Sequence, residues 1–238
     1  MAAVLALDSE QPRNRQLSLM RDNRLGGLAL VIAAVASVIT MAVHPSGHHG
    51  VMSRREMEIL GWLTRGVHGF AIASLPIAFL GALGLTRYLQ ASNRIAVSAL
   101  VIYGFGLAAI MAAAAMSGFV APTVMSQLVA GDRMTDVRRL FLDYTFALNQ
   151  AFASVFVVAG CAAVFLWSVA IWRSGLLWRG LAIYGLVLGL GIILIFLSGH
   201  LSLDVHGFGI VAFTQSIWFV LAGLGLYGSN QERHPSSG

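Results

Sequence analysis

The chain has 238 residues, of which 58% are hydrophobic and 11% are charged. Soluble domains usually carry about 25% charged residues, so most of this protein's surface must face something other than water. The formal net charge of +5 comes from arginines at the ends of apolar segments, which indicates anchoring in a membrane and not binding to nucleic acid. The single cysteine, Cys161, excludes an intrachain disulfide and a zinc–thiolate cluster.

Six apolar segments are each long enough to cross a bilayer, which takes about 20 residues in a helix. None of them contains an aspartate or a glutamate. We therefore predict an all-α, polytopic membrane protein, built as a bundle of six transmembrane helices. In chain order, the predicted helices cover residues 25–43, 67–85, 95–120, 145–171, 176–197 and 208–227.

The distribution of arginine predicts the orientation of this bundle. With both chain ends inside the cell, the inner segments carry nine arginines and the outer loops carry six, which is the bias that inner loops show. The prediction is a cytoplasmic N-terminal segment over residues 1–24, a transmembrane domain over residues 25–227 and a cytoplasmic tail over residues 228–238.

Two further patterns concern surfaces and packing. The predicted outer loops over residues 52–63 and 123–141 repeat apolar residues at helical spacing, which predicts amphipathic helices lying on the outer membrane surface. In the fifth predicted helix, Gly185 and Gly189 form a GxxxG step that allows helix backbones to approach closely. We expect this step to pack within the bundle in preference to forming a dimer.

Six of the seven histidines fall on the predicted outer side of the membrane. Imidazole is the commonest metal ligand, and a borderline or soft metal such as zinc or copper suits nitrogen ligands with one carboxylate. The candidate metal ligands are His44, His48, His49, His68, His200, Asp204 and His206. A b-type haem is the other cofactor that fits histidine ligands, and its axial pair would be His68 and His200.

The same residues have a purely structural interpretation. Histidine is amphipathic and is stable at the headgroup level of a membrane, HPSGHHG is a good turn sequence, and Asp204 is positioned to cap the sixth helix. Polar side chains inside a membrane are costly and tend to be functional. Asn149, Gln150 and Gln215 are therefore predicted to line a pocket that opens on the outer side.

Residues 148–191 read LNQAFASVFVVAGCAAVFLWSVAIWRSGLLWRGLAIYGLVLGLG, with an Arg-Ser-Gly turn at residues 173–175 and a second arginine at Arg179. This stretch resembles the fourth-to-fifth helix hairpin of a widespread group of uncharacterised bacterial six-helix, multi-pass membrane proteins. The resemblance implies the same topology and brings no activity with it. We expect the protein to reside in the bacterial inner (plasma) membrane.

Three functions follow as hypotheses. A binding or redox protein would hold a metal ion near the outer face, which requires at least three imidazoles to approach one point, or a haem, which requires its two axial histidines to face each other. A small-molecule carrier or lipid-associated protein requires a cavity that reaches Gln215. A structural or accessory subunit requires neither. The sequence contains no GxSxG, HExxH, CxxC or Walker motif, which weighs against an enzyme. The lipid bilayer is the expected partner, and a homo-oligomer or a membrane partner protein stays open.

Overall fold

The computed structural model describes residues 2–44, 53–90, 94–128 and 136–229. Within these ranges the chain contains no strand, and six helical spans are long and apolar enough to cross a membrane. The protein is an all-α, multi-pass membrane protein, as predicted. Its helices are α1 (Ala2–Ala42), α2 (Arg54–Gln90), α3 (Ile95–Ala115), α4 (Ala121–Leu128), α5 (Asp136–Ser174), α6 (Arg179–Leu197) and α7 (Val205–Gly228).

The spans are arranged around a ring in chain order. Each span packs against the next, and α7 returns to α1. α3 and α4 form a single span, joined by a π-helical turn at Met116–Val120. At one end of the bundle, α1 and α6 finish and α2 and α7 begin. We call this the histidine end, because it carries His44, His200 and His206. The opposite end, where a short turn joins α5 to α6, is called the turn end.

Several helices continue well past the predicted spans. α2 has 37 residues and is about 55 Å long at 1.5 Å per residue, whereas the hydrocarbon core of a bilayer is about 30 Å thick. The prediction of separate surface helices is wrong for the described residues. Residues 54–63 are the first turns of α2, residues 123–128 belong to α4, which continues the third span, and residues 136–141 are the first turns of α5. Their apolar periodicity belongs to helices that continue into the membrane spans.

The first helix also begins earlier than predicted. α1 starts at Ala2, so residues 2–24 of the predicted cytoplasmic segment form one continuous helix with the first span. The orientation of the bundle, with both ends inside, and the boundaries at residues 24 and 227 stay predictions.

Glycines let α1 contact both of its neighbours at backbone distance. A Cβ atom placed on Gly84 of α2 would lie 2.7 Å from the Cα atom of Gly26 in α1. On the other side, a Cβ atom on Gly223 of α7 would lie 2.6 Å from the carbonyl oxygen of Gly27. Both distances are shorter than packed atoms allow. In lipid, where close packing drives helix association, small residues are the ones that permit such crossings.

The GxxxG step of α6 packs within the chain. A Cβ atom on Gly189 would lie 2.6 Å from the carbonyl oxygen of Cys161 and 2.9 Å from the Cβ atom of Phe165, both in α5. Gly185 is buried as well. The step therefore joins α6 to α5, in agreement with the expectation of packing inside the bundle.

An aromatic cluster of Tyr103, Trp167, Trp218 and Phe219 fills the middle of the bundle on the side of the turn end. Trp167 and Trp218 are fully buried, and their stacked rings have centroids 6.1 Å apart. The ring centroid of Tyr103 lies 5.4 Å from that of Trp167. Trp167 also donates a hydrogen bond from Nε1 to the Thr86 hydroxyl at 3.0 Å. The cluster thereby connects α2, α3, α5 and α7.

Candidate functional site

A cavity of about 440 Å³ extends into the bundle from the histidine end. Residues of α1, α2, α3, α5 and α7 line it, together with the π-helical turn, whereas α6 lies outside against α5. We call the lining residues the cavity wall. On each helix the wall residues recur every three or four positions, which places them on one helix face. The cavity reaches the surface beside the exposed residues Phe146 and Asp204.

The cavity extends deep into the bundle. Its wall includes Leu30 of α1 and both Tyr103 and Phe219 of the aromatic cluster. From Asp204 to Phe219, α7 rises about 22 Å at 1.5 Å per residue. This depth is more than half of the roughly 30 Å thickness of a bilayer core.

Gln215 of α7 is a buried polar residue in the cavity wall. Its Nε2 atom donates a hydrogen bond to the sulfur of Cys161, at 3.1 Å. A Cβ atom on Gly160 of α5 would lie 3.2 Å from the same nitrogen. A glycine at residue 160 is thus what leaves room for this amide between α5 and α7.

Asn149 and Gln150 of α5 also belong to the cavity wall. They lie about three and a half turns into the helix, because α5 begins at Asp136. Within the described part of the chain, their side-chain amides have no hydrogen-bond partner. All three residues predicted to line a pocket are therefore wall residues of one cavity.

Sequence reasoning missed half of the polar wall. The missed residues are Ser37, Thr40, Ser74, Tyr103, Ser117 and Ser216. Some of these hydroxyls bond to their own helix, as Thr40 does to the Ala36 carbonyl oxygen at 2.8 Å, so they are tolerated in lipid and look unremarkable in sequence. Their spacing in the sequence could have identified some of them, because Ser37, Thr40 and His44 are three and four positions apart and form one polar stripe on α1.

Two histidines of the cavity wall contact each other. The ring centroids of His44 and His68 are 5.2 Å apart, with the rings at 68°. His68 is buried, and its Nδ1–H donates to the Thr64 carbonyl oxygen at 2.8 Å, which in a neutral ring leaves Nε2 as an acceptor. A Cβ atom on Gly118 would lie 2.9 Å from Cγ of His68. Gly118 belongs to the π-helical turn, a feature frequent at functional sites.

The histidines of the connection between α6 and α7 lie outside the cavity. His200 is exposed, and its Nδ1 atom is 2.9 Å from the Ser198 hydroxyl. It follows Gly199, whose φ of 76° closes the end of α6 in the usual glycine cap. His206 is exposed in the first turn of α7. The structure thus pairs His68 with His44, whereas the haem prediction paired His68 with His200, which is not a wall residue.

Asp204 caps α7, as the structural interpretation predicted. Its Oδ1 atom accepts from the backbone N–H of Gly207 at 2.8 Å, and its Oδ2 atom accepts from the Ser202 hydroxyl at 3.0 Å. The hydrogen bond from Gly207, followed by that from Ser202, holds the pKa of this carboxyl group below its usual value because both bonds favour the ionised form. A negative charge therefore stands at the surface opening of the cavity at neutral pH.

The described residues do not form a complete set of ligands for the predicted metal site. Among the described residues, no three His, Cys, Asp or Glu side chains are arranged to hold a metal ion. His48 and His49 lie outside the described residues. Of the predicted ligands, the described residues bring His44 and His68 together. Catalytic zinc sites usually have three protein ligands, and structural zinc sites have four.

The fold and the cavity together define a class, namely a multi-pass α-helical membrane protein with a deep and mostly apolar interior cavity. No protein-family model, curated protein or solved structure matches the chain. The resemblance of residues 148–191 to a six-helix bacterial family stays a prediction.

Proposed function

We propose that the protein binds a small amphipathic molecule within the membrane, as a carrier or lipid-associated protein of the bacterial inner membrane. The observation that carries this proposal is the cavity of about 440 Å³ that reaches Gln215. Ligand sites are typically concave and mostly apolar, with about 300–1,000 Å³ of space and a few polar groups that fix orientation. This cavity has the volume and the composition of such a site.

The polar groups of the wall support a ligand in preference to a purely structural role. The interiors of proteins are close-packed, and an unfilled space in them lowers stability. Polar groups left without partners away from water add a further cost. Asn149 and Gln150 are half-buried in the wall, and their side-chain amides have no described protein partner. A bound molecule with hydrogen-bonding groups would fill the space and bond to these amides.

Filling the cavity is expected to abolish binding. We suggest the double variant Ala71→Phe/Ala153→Phe, which adds two rings to the cavity wall, one from α2 and one from α5. The probe is ω-bromododecanol, whose bromine quenches tryptophan fluorescence. To leave only the two buried tryptophans as reporters, the exposed ones are replaced in the background Trp62→Phe/Trp172→Phe/Trp178→Phe. Quenching of Trp167 and Trp218 should be strong in this background and should fall about tenfold or more in the filled variant, since overpacked sites cannot readily rearrange.

The matched control is Ala73→Phe/Ala151→Phe, which makes the same substitution two positions away on the same helices. Both alanines are exposed, so the added rings face lipid and quenching should stay as in the background protein. Equal quenching in the filled and control variants, with both variants folded by circular dichroism, would contradict the proposed function.

A metal ion held near His44 and His68 is the second candidate, favoured by the contact between their rings at 5.2 Å. On this candidate, elemental analysis of detergent-purified protein should find close to one zinc or copper per chain, and His68→Ala should lose it. An absorption spectrum of the same sample tests haem through its Soret band. Equal metal content in the wild type and in His68→Ala would remove this candidate and leave the first unaffected.

A further inference from the structure

We propose that the cavity selects uncharged amphiphiles, with a hydroxyl or carbonyl head at the histidine end and an apolar tail directed at the aromatic cluster. This inference rests on the proposed function and specifies the chemical class of the ligand. It predicts rejection of lipids with phosphate, sulfate or carboxylate heads and of cationic amphiphiles. Two features of the cavity support this selectivity, namely the charges of its wall and the order of polar and apolar side chains along its depth.

No arginine belongs to the described cavity wall, and the chain contains no lysine. The arginine nearest to a wall residue in sequence is Arg65, three positions before His68. Its guanidinium carbon lies over the ring of the exposed Trp62, 5.9 Å from the centroid. An anionic head inside the cavity would thus lack a permanent cationic partner, and an unpaired charge away from water carries a large desolvation penalty.

The one charged side chain of the described wall is Asp204. It stands at the surface opening, where its negative charge repels an entering anion. Both of its oxygens already accept hydrogen bonds, from Gly207 and from Ser202. Inside the cavity, a cationic head would find no further carboxylate among the described wall residues, and an unpaired charge away from water carries a large desolvation penalty. The wall therefore favours heads that carry no charge.

Uncharged hydrogen-bonding groups are concentrated where such a head would lie. Asn149 and Gln150 each present an amide with both donors and acceptors, and Ser117 faces the same cavity from the π-helical turn. A hydroxyl both donates and accepts, and a carbonyl accepts from the amide nitrogens. Deeper in, the amide of Gln215 already donates to the Cys161 sulfur, and Leu30 and Phe219 present apolar surface, which suits an alkyl or isoprenoid tail.

The experiment compares three probes with one tail: ω-bromododecanol, ω-bromododecyl sulfate and ω-bromododecyltrimethylammonium. Each is titrated at about pH 8, above the usual histidine pKa of about 6.5, into detergent-solubilised protein in which only Trp167 and Trp218 report. The signal from Ala71→Phe/Ala153→Phe is subtracted, which removes quenching by probe in the micelle. We expect the alcohol to bind at least about tenfold more tightly than either charged probe, a difference of about 1.4 kcal/mol or more.

The variant Asp204→Asn separates the effect of charge from that of shape, since asparagine caps a helix as well as aspartate does. It should raise the affinity for the sulfate relative to that for the alcohol. Equal or tighter binding of the sulfate or of the ammonium probe, removed by the filled variant, would overturn this inference and leave the proposed function standing. Absence of any quenching that the filled variant removes would overturn both.

Discussion

Replacing Trp167 by alanine is expected to lower the free energy of unfolding by about 3–5 kcal/mol, the range for removing a buried tryptophan from a packed core. Trp167 has no exposed surface, and its ring contacts Tyr103, Trp218 and Phe219 from two other helices. The substitution also removes the donor to Thr86. Denaturation by sodium dodecyl sulfate, followed by circular dichroism in mixed micelles, measures this change.

Two comparisons make this result specific. Trp172→Ala removes a tryptophan of the same helix whose side chain is 48% exposed, and it should change the unfolding free energy by less than about 1 kcal/mol. Trp167→Phe keeps most of the ring contacts and loses the hydrogen bond, so it should fall between the two. If Trp167→Ala and Trp172→Ala had the same effect, the aromatic cluster would not be the packing centre of the bundle.

Gly84→Ala is expected to destabilise the protein by about 1–3 kcal/mol, the usual cost of overpacking. The added Cβ atom would lie 2.7 Å from the Cα atom of Gly26, and both partners are backbone that cannot move aside without separating α1 from α2. The intrinsic preference of helices runs in the opposite direction, since alanine is favoured over glycine by about 0.8–1 kcal/mol. The expected sign is therefore informative by itself.

Gly66→Ala is the matched substitution on the same helix. No atom lies within 4 Å of a Cβ placed there, so we expect unchanged or slightly increased stability by the same denaturation assay. If the close crossing of α1 and α2 stabilises the protein, Gly84→Ala should lower the free energy of unfolding and Gly66→Ala should leave it unchanged or raise it slightly. A stabilising Gly84→Ala would show that α1 and α2 do not approach as closely as the glycines allow.

The fold class and the number of spans could be predicted because hydropathy is a property of each segment by itself. Local interactions were equally accessible. Asp204 caps α7 because its carboxylate reaches the backbone of Gly207, three residues along the chain. The GxxxG step of α6 could be read as a close contact before its partner, α5, was known. The extension of α2 and α5 beyond the predicted spans was missed, since a surface helix and the continuation of a membrane helix have the same periodicity.

Which of the histidines contact each other could not be predicted from local sequence. His44, His68, His200 and His206 all lie towards one end of the bundle, and their sequence positions do not tell which of them meet. The structure brings His44 and His68 into contact, because α1 packs against α2. His200 remains exposed, because the glycine-closed turn after α6 holds it outside the wall. The direction of a side chain at a helix end depends on neighbours that the sequence does not name.

The sequence by itself determined that lipid surrounds six apolar helices, because each segment is long and apolar enough regardless of its neighbours, and it supplied the three amides of the pocket. Only the tertiary structure decided that those amides share a cavity with Ser37, Tyr103 and Ser117. A cavity is a volume that side chains from five helices leave unfilled. Its existence depends on how those helices pack against one another, which no single segment encodes.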